Sequence, residues 1–455
     1  MTPSPHPATS RRVLALALPM TLANVTTPLL GFVGATVIGR LGDAALLGAM
    51  ALGAVIFDAI FWSFGSLRMA TAGLTAQAMG ANDPAEVDRT LARALAAALL
   101  VGLVILVLQG PIGRAAFTLS GASPAVIAAL AAYFHIRIFA APFTLANYAI
   151  LGSVLGRGRT DLGLLLQVAI NLTNIVLTLV FVLGADMSVA GAGLATLIAE
   201  AAGAGLGLVL LARLGSRPLA VPFRVVRDPR ALARMLSVNA DVMIRTLLLV
   251  GCITLFSALG ARSGDVVLAA NAVLWNLFMI GGFFLDGFAT AAETLCGQAV
   301  GARDEAGFRR AARLSLLWCL AFGGAIAGGF LLVGHAFIDA VTTSPEVREM
   351  ARHYLLPAAL APLLAALPFA FDGIFIGATW TRAMRNLMIA ASALYGVALF
   401  AAHELGLGNG GLWLSFLILL AGRGLSQALA YPGLTRRTFG AAETSAGGMA
   451  GATAA

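Results

Sequence analysis

Twelve long apolar runs leave this chain few ways to fold. Broken at its clusters of charge, Gly and Pro, the sequence gives six segments in its first half, at about 13–38, 44–70, 91–110, 126–151, 163–183 and 189–212. The second half gives six more, at about 234–260, 266–292, 312–334, 350–377, 386–404 and 410–432. Each is long enough for a helix crossing a hydrocarbon core of about 30 Å, which takes about 20 residues. The ten-residue alternations of a membrane β-barrel are missing. Of 455 residues, 60% are hydrophobic and 11% charged, against about 45–50% and about 25% in soluble domains. The mean hydropathy is +0.92. No soluble core could hide that excess, so a soluble enzyme, a nucleic-acid reader and a disordered chain are excluded. The expected fold is an all-α polytopic membrane protein.

The basic balance, +8 at pH 7, is best read as topology, because Arg collects in cytoplasmic loops. Twenty arginines fall in one set of loops, among them Arg11, Arg12, Arg157, Arg217, Arg309 and Arg436. The opposite loops hold five: Arg40, Arg114, Arg262, Arg348 and Arg352. Both termini and the Pro/Arg-rich stretch 213–233 are therefore expected on the cytoplasmic side. Ser10-Arg11-Arg12 looks superficially like a twin-arginine export signal, but the apolar run continues to Ile38, beyond a signal core of about 7–15 residues. It reads as an uncleaved first span. Residues 1–212 and 234–439 read as two six-helix lobes joined by the 213–233 linker, and 440–455 reads as a disordered tail.

The halves repeat. At an offset of 221 residues Gln77 meets Gln298, Gly80 meets Gly301 and Asp83 meets Asp304. Ser123-Pro124 meets Ser344-Pro345, and Tyr133 meets Tyr354. Gly152, Gly156 and Thr160 meet Gly373, Gly377 and Thr381, and with a one-residue gap Gly42-Asp43 meets Gly264-Asp265. Six spans per repeat is even, so the lobes insert in parallel, the arrangement in which a transporter cavity lies between halves.

Ionisable groups inside the spans cost at least about 2.5–3.5 kcal/mol each on insertion scales, and each calls for a role. Asp58 and Arg68 lie in the second span, Asp241 and Arg245 in the seventh, Asp286 and Glu293 in the eighth, and Asp372 in the tenth. Asp241 and Arg245, at i,i+4 on one helix face, read equally as a self-neutralising pair. Glu200 lies in the sixth span. Arg137 in the fourth and Arg423 in the twelfth read as snorkelling to the interface. Asp58, Asp286, Glu293 and Asp372 suit a cation-coupled carrier, since a carboxylate there can alternate between protonated and ion-holding states. Phe57, Phe61, Trp62, Trp275 and Phe278 offer stacking surface to an organic cation or pack between helices. The scattered histidines and the cysteines Cys252, Cys296 and Cys319 form no catalytic, zinc or disulfide pattern. No enzymatic activity is expected.

Several segments resemble the multidrug and toxic compound extrusion (MATE) transporters, most closely their DNA-damage-inducible protein F branch. They are Phe61-Trp-Ser-Phe-Gly-Ser-Leu-Arg-Met69 with Gly73-Leu-Thr-Ala-Gln-Ala78, Asn239-Ala-Asp-Val-Met-Ile-Arg-Thr246, Leu285-Asp-Gly-Phe-Ala-Thr-Ala-Ala-Glu293 with Gly297-Gln-Ala299, and Phe371-Asp-Gly-Ile-Phe-Ile-Gly-Ala-Thr379. The resemblance implies a monomeric secondary antiporter in a bacterial inner membrane. It would export amphipathic, cationic compounds against H⁺ or Na⁺, with no organic cofactor, no nucleic-acid partner and membrane lipid around it. Asp372 falls where the family has a tenth-span acid, and Asp286 and Glu293 would complete a Na⁺ site with it. One departure stands out: the family's first-span aspartate is replaced by Gly34, within Val33-Gly-Ala-Thr-Val-Ile-Gly39. Asp58 is then the nearest mid-span acid for an N-lobe switch. The rival readings are a lipid-linked oligosaccharide flippase of the same superfamily, for which Arg68, Arg245 and Arg423 speak, and a non-transporting membrane scaffold.

Overall fold

The structure, a computed structural model, describes residues 8–450. Among them, twelve helices are long and apolar enough to span a membrane: α1 (Ser10–Gly39), α2 (Ala44–Gly80), α3 (Pro84–Val107), α4 (Pro124–Gly156), α5 (Thr160–Gly184), α6 (Ser188–Arg213), α7 (Pro229–Arg262), α8 (Asp265–Gly301), α9 (Glu305–Val341), α10 (Leu355–Gly377), α11 (Thr381–Glu404) and α12 (Gly408–Gly440). The all-α expectation holds. Several helices run past the apolar segments into charged sequence, because a helix need not stop where hydrocarbon does. Thus α8 continues to Gly301, and α7 starts at Pro229, inside the stretch read as linker. The last helix carries on to Ala450, beyond the point where the disordered tail was expected; residues 451–455 lie outside the described ones. Large apolar side chains such as Leu332, Leu429 and Val107 are exposed, as a lipid-facing surface requires.

The repeat seen in the sequence is carried by local physics. Asp83 and Asp304 are matching N-caps: Asp83 Oδ1 accepts from Glu86 N at 2.9 Å, and Asp304 Oδ1 from Gly307 N at 2.8 Å. The residues before them, Asn82 and Arg303, both adopt positive φ (56° and 55°). Ser123-Pro124 and Ser344-Pro345 each start a helix with Pro in its first turn.

The paired glycines close the matching helix crossings. A Cβ on Gly152 would stand 2.4 Å from the Arg68 carbonyl oxygen and one on Gly156 2.5 Å from that of Ala72. A Cβ on Gly373 would stand 2.0 Å from the Ala289 oxygen and one on Gly377 2.4 Å from that of Glu293. So α4 rides on α2 as α10 rides on α8, backbone against backbone, the close approach that small residues permit in membranes.

The chain divides into two compact units. One comprises Leu22–Met79 and Asp83–Asn239; the other comprises the start of α1 up to Thr21, Gly80–Asn82 and the chain from Ala240 onward. Within the first, α4 packs on α2, α3 and α6, and α5 on α6. Within the second, α10 is the central helix, packed on α8, α9 and α12 and largely buried. Its Pro362 and Pro368 each remove a backbone donor. Asn271 on α8 ties to α12 by exchanging amide hydrogen bonds with Asn409 at 2.8 and 3.0 Å and accepting from Trp413 Nε1 at 3.0 Å.

Candidate functional site

The strongest polar constellation lies inside the C-terminal unit, around Asp372. Its Oδ2 accepts from Arg423 Nη2 on α12 at 2.8 Å and from Arg245 Nη2 on α7, while Oδ1 accepts from Gln427 Nε2 at 2.9 Å. All four residues are at most 7% exposed. Met384, Leu387 and Met388 of α11 line the same place, which leaves no room for a water molecule. Three donors engage both carboxylate oxygens, and two guanidiniums share one anion. Asp372 therefore bolts α7 and α12 to α10, the outcome expected where buried charges must be paired.

This geometry corrects two sequence readings. Asp241 and Arg245 do not neutralise each other: Asp241 pairs with Arg385 at 2.6 Å and accepts from Thr381 Oγ1 at 3.1 Å, both on α11, while Arg245 turns to Asp372. Arg423 does not snorkel; it is 4% exposed and points inward. Its partnership with Gln427, four residues on along the same face, was the usable signal that sequence reasoning passed over. Asp286 lies within electrostatic reach of Arg245, and Glu293, one helical face along, is 3% exposed. Trp275 and Phe278 pack with Phe256 and Phe416 in tilted and edge-to-face arrangements, centroids 5.2–5.9 Å apart, a packing cluster between helices.

In the N-terminal unit the groups gather around α2, α4 and α6. Asp58 is exposed and within electrostatic reach of Arg137. Arg137, expected at the interface, instead lies over the ring of buried Phe57 at 4.4 Å and donates to the Tyr133 hydroxyl. Phe61 stacks on Phe57 at 5.9 Å, whereas Trp62 is 56% exposed. Arg68 and Asp58 both act electrostatically on Tyr148. Sequence reasoning missed the partners of Glu200 here. Asn147 Nδ2 on α4 donates to its backbone oxygen at 2.9 Å and to its Oε2 at 2.7 Å, and Thr144 also hydrogen-bonds it. Gly34 on α1 faces Met50, whose Cε would lie 3.5 Å from an added Cβ. Among the described residues no group of three or more His, Cys, Asp or Glu side chains is arranged to hold a metal ion.

Twelve spans, internally repeated and with ion-paired charges buried within them, are the framework of a membrane transporter. The comparisons give the family. The MatE family model matches residues 19–180 and 242–401, one match in each repeat, and the chain belongs to the MATE family. It is 39% identical to DNA damage-inducible protein F of Escherichia coli K12, over 91% of this chain and 90% of that one. It is 26% identical to a probable multidrug resistance protein NorM of Bradyrhizobium diazoefficiens, over 89% of each. Among solved structures, an outward-facing multidrug resistance MATE family transporter of the MOP superfamily superposes with a TM-score of 0.84 at 19% identity. That match covers 94% of this chain and 96% of the other.

Proposed function

We propose that this protein is a secondary antiporter of a bacterial inner membrane, exporting amphipathic organic compounds, cations among them, in exchange for H⁺ or Na⁺. The observation that carries this reading is the presence of acids within membrane-length helices of both units. Asp58 and Glu200 stand in one and Asp286 and Glu293 in the other, a cost that a purely structural bundle has no reason to bear. The names of the relatives, multidrug resistance and export proteins, agree with it.

Within that scheme Asp58, exposed and one residue from the Phe57–Phe61 stack, suits the attraction of an organic cation. Asp286 and Glu293 are the acids we assign to the coupling ion in the C-terminal unit. Asp372, first choice on sequence grounds, has its oxygens occupied by three donors, so we give it a positioning role beside that pair. We further propose a monomer with both termini and the 213–233 stretch in the cytoplasm, on the Arg asymmetry of the loops.

The test is uptake of a fluorescent organic cation into everted vesicles, with H⁺ and Na⁺ gradients imposed separately. We expect uptake under one of the two. Equal uptake with and without each gradient sinks the antiport reading.

A further inference from the structure

The first span carries Gly34 where the resemblance to the family implies an acid, and the N-terminal unit holds another carboxylate among polar side chains. Glu200 sits midway along α6 and is partly buried. Asn147 and Thr144, three residues apart and so on one face of α4, both reach it. Gly203, on the next turn of α6, has no side chain and so lets α5 close tightly on α6 and Asn147 of α4 come near. A Cβ there would stand 2.4 Å from Ile170 Cγ1 and 3.3 Å from Asn147 Nδ2.

Asn147 is 6% exposed, and its Oδ1 accepts no hydrogen bond from any described residue. That is a buried acceptor aligned with an acid and left unused while the acid is ionised. Arg137 and Tyr148 on α4 are the charged and titratable groups within electrostatic reach of Glu200; Asp58 and Arg68 on α2 act in turn on Tyr148, and Tyr133 holds Arg137. On α5, Ile170 packs beside Gly203, and the neutral Asn174 donates to Thr196 Oγ1, one turn before Glu200 on α6. No salt bridge ties Glu200 to Arg137, whose guanidinium is engaged with Phe57 and Tyr133.

The geometry points to Glu200 as the proton-binding carboxylate of the N-terminal unit, with Asn147 as the group that reads its protonation state. Ionised, the carboxylate accepts from the Asn147 amide and from Thr144. Once protonated it has an O–H to give, and a half-turn of the Asn147 amide presents Oδ1 to receive it. The proton arrives at and leaves from one Glu200 oxygen, and no bond between heavy atoms changes. A metal cation fits less well, since hard cations gather shells of about six oxygens, and this pocket supplies only the carboxylate, one amide and one hydroxyl.

The inference rests on the antiport reading, and two measurements keep their failures apart. The first is infrared spectroscopy of the purified full-length protein across a pH titration, which does not depend on transport. We expect a protonated-carboxyl band that disappears in Glu200→Gln and whose midpoint shifts in Asn147→Ala. Identical titrating bands in wild type and Glu200→Gln overturn the assignment. If Glu200→Gln does not fold, an unmoved midpoint in Asn147→Ala overturns it instead.

The second is export from proteoliposomes. Glu200→Gln should abolish export driven by a pH gradient and Glu200→Asp should retain part of it. Full proton-driven export by a folded Glu200→Gln refutes the role of Glu200. So does a band that responds to Na⁺ and not to pH. A wild type that exports under neither gradient removes the antiport reading alone, leaving the infrared result to decide Glu200.

Discussion

Asp372 shows how a single buried charge organises its surroundings. Removing the carboxylate in Asp372→Asn leaves Arg245 and Arg423, both almost fully buried, without the ion pair they share, Asp286 alone remaining within electrostatic reach of Arg245. Breaking a buried pair from one side costs about 3–5 kcal/mol, so Tm in detergent should fall clearly. Asp372→Asn combined with Arg423→Gln should recover part of that loss. If Asp372→Asn melts like wild type, the cluster is not a structural bolt. Position 34 gives a second residue-scale prediction. Met50 Cε at 3.5 Å from an added Cβ is an ordinary contact and φ at Gly34 is not positive, so Gly34→Asp should be accommodated. It is expected to strengthen the pH dependence of export, measured at several external pH values; an unchanged profile means that this half no longer uses the position. The charged residues themselves were legible in the sequence, because an acid in an apolar run stands out. Their partners were not. Asp372 meets groups 127 and 51 residues away, and Glu200 meets one 53 residues away, pairings that depend on which helices become neighbours.

At the scale of elements, the sequence showed all twelve spans because each must be apolar for its whole membrane depth. It could not show where helices end in water, nor the short π-helical close of α5 at Val180–Gly184 and the 3₁₀ turn Ile138–Ala140 ahead of Pro142. These leave no hydropathy signature. The glycine pairs were legible as repeats, and the structure supplies their reason. Gly373→Ala would place a methyl 2.0 Å from the Ala289 carbonyl oxygen, forcing α10 away from α8. Overpacking of this kind costs about 1–3 kcal/mol. Gly152→Ala should do the same to α4 on α2, where the contact is 2.4 Å. Gly251→Ala on α7, with nothing within 4 Å, is the matched control and should be neutral or slightly stabilising, since Ala is the better helix former by about 1 kcal/mol. Thermal melting of the three variants decides: equal melting of Gly373→Ala and Gly251→Ala removes the close-packed crossing from the account.

On the scale of the whole molecule, the repeat reaches into the way the two units are divided. The first turns of α1 belong with the C-terminal unit, where Arg12 Nη2 donates to Gln298 Oε1 at 3.0 Å. The first turns of α7 belong with the N-terminal unit, where Arg234 Nη2 donates to Gln77 Oε1 at 3.1 Å. Gln77 and Gln298 are the glutamines matched at the 221-residue offset, and Arg12 and Arg234 match with the same one-residue gap as Gly42 and Gly264. Charge clusters mark loops but do not say which bundle a helix end joins, so the lobe boundaries read from sequence, 212 and 234, differ from the division at Asn239 and Ala240.

The stretch between the repeats is itself anchored in the N-terminal unit. Asp88 on α3 accepts from Arg217 N at 2.9 Å and from the Ser216 hydroxyl, and Arg157 donates to Ser216 Oγ at 2.7 Å. Burial pulls the Arg157 guanidinium below its ordinary pKa while Asp88 opposes the shift. Ala220, just beyond this anchor, is exposed, as is Thr343 between α9 and α10. The Arg asymmetry assigns the first to the cytoplasm and the second to the opposite side. In a background without Cys252, Cys296 and Cys319, all buried, an impermeant thiol reagent applied to intact cells should label Thr343→Cys and spare Ala220→Cys. Permeabilised cells should label both. Because the two sites are both exposed, a difference between them reports sidedness rather than burial. Labelling of Ala220→Cys from outside would invert the topology and with it the direction in which export is assigned.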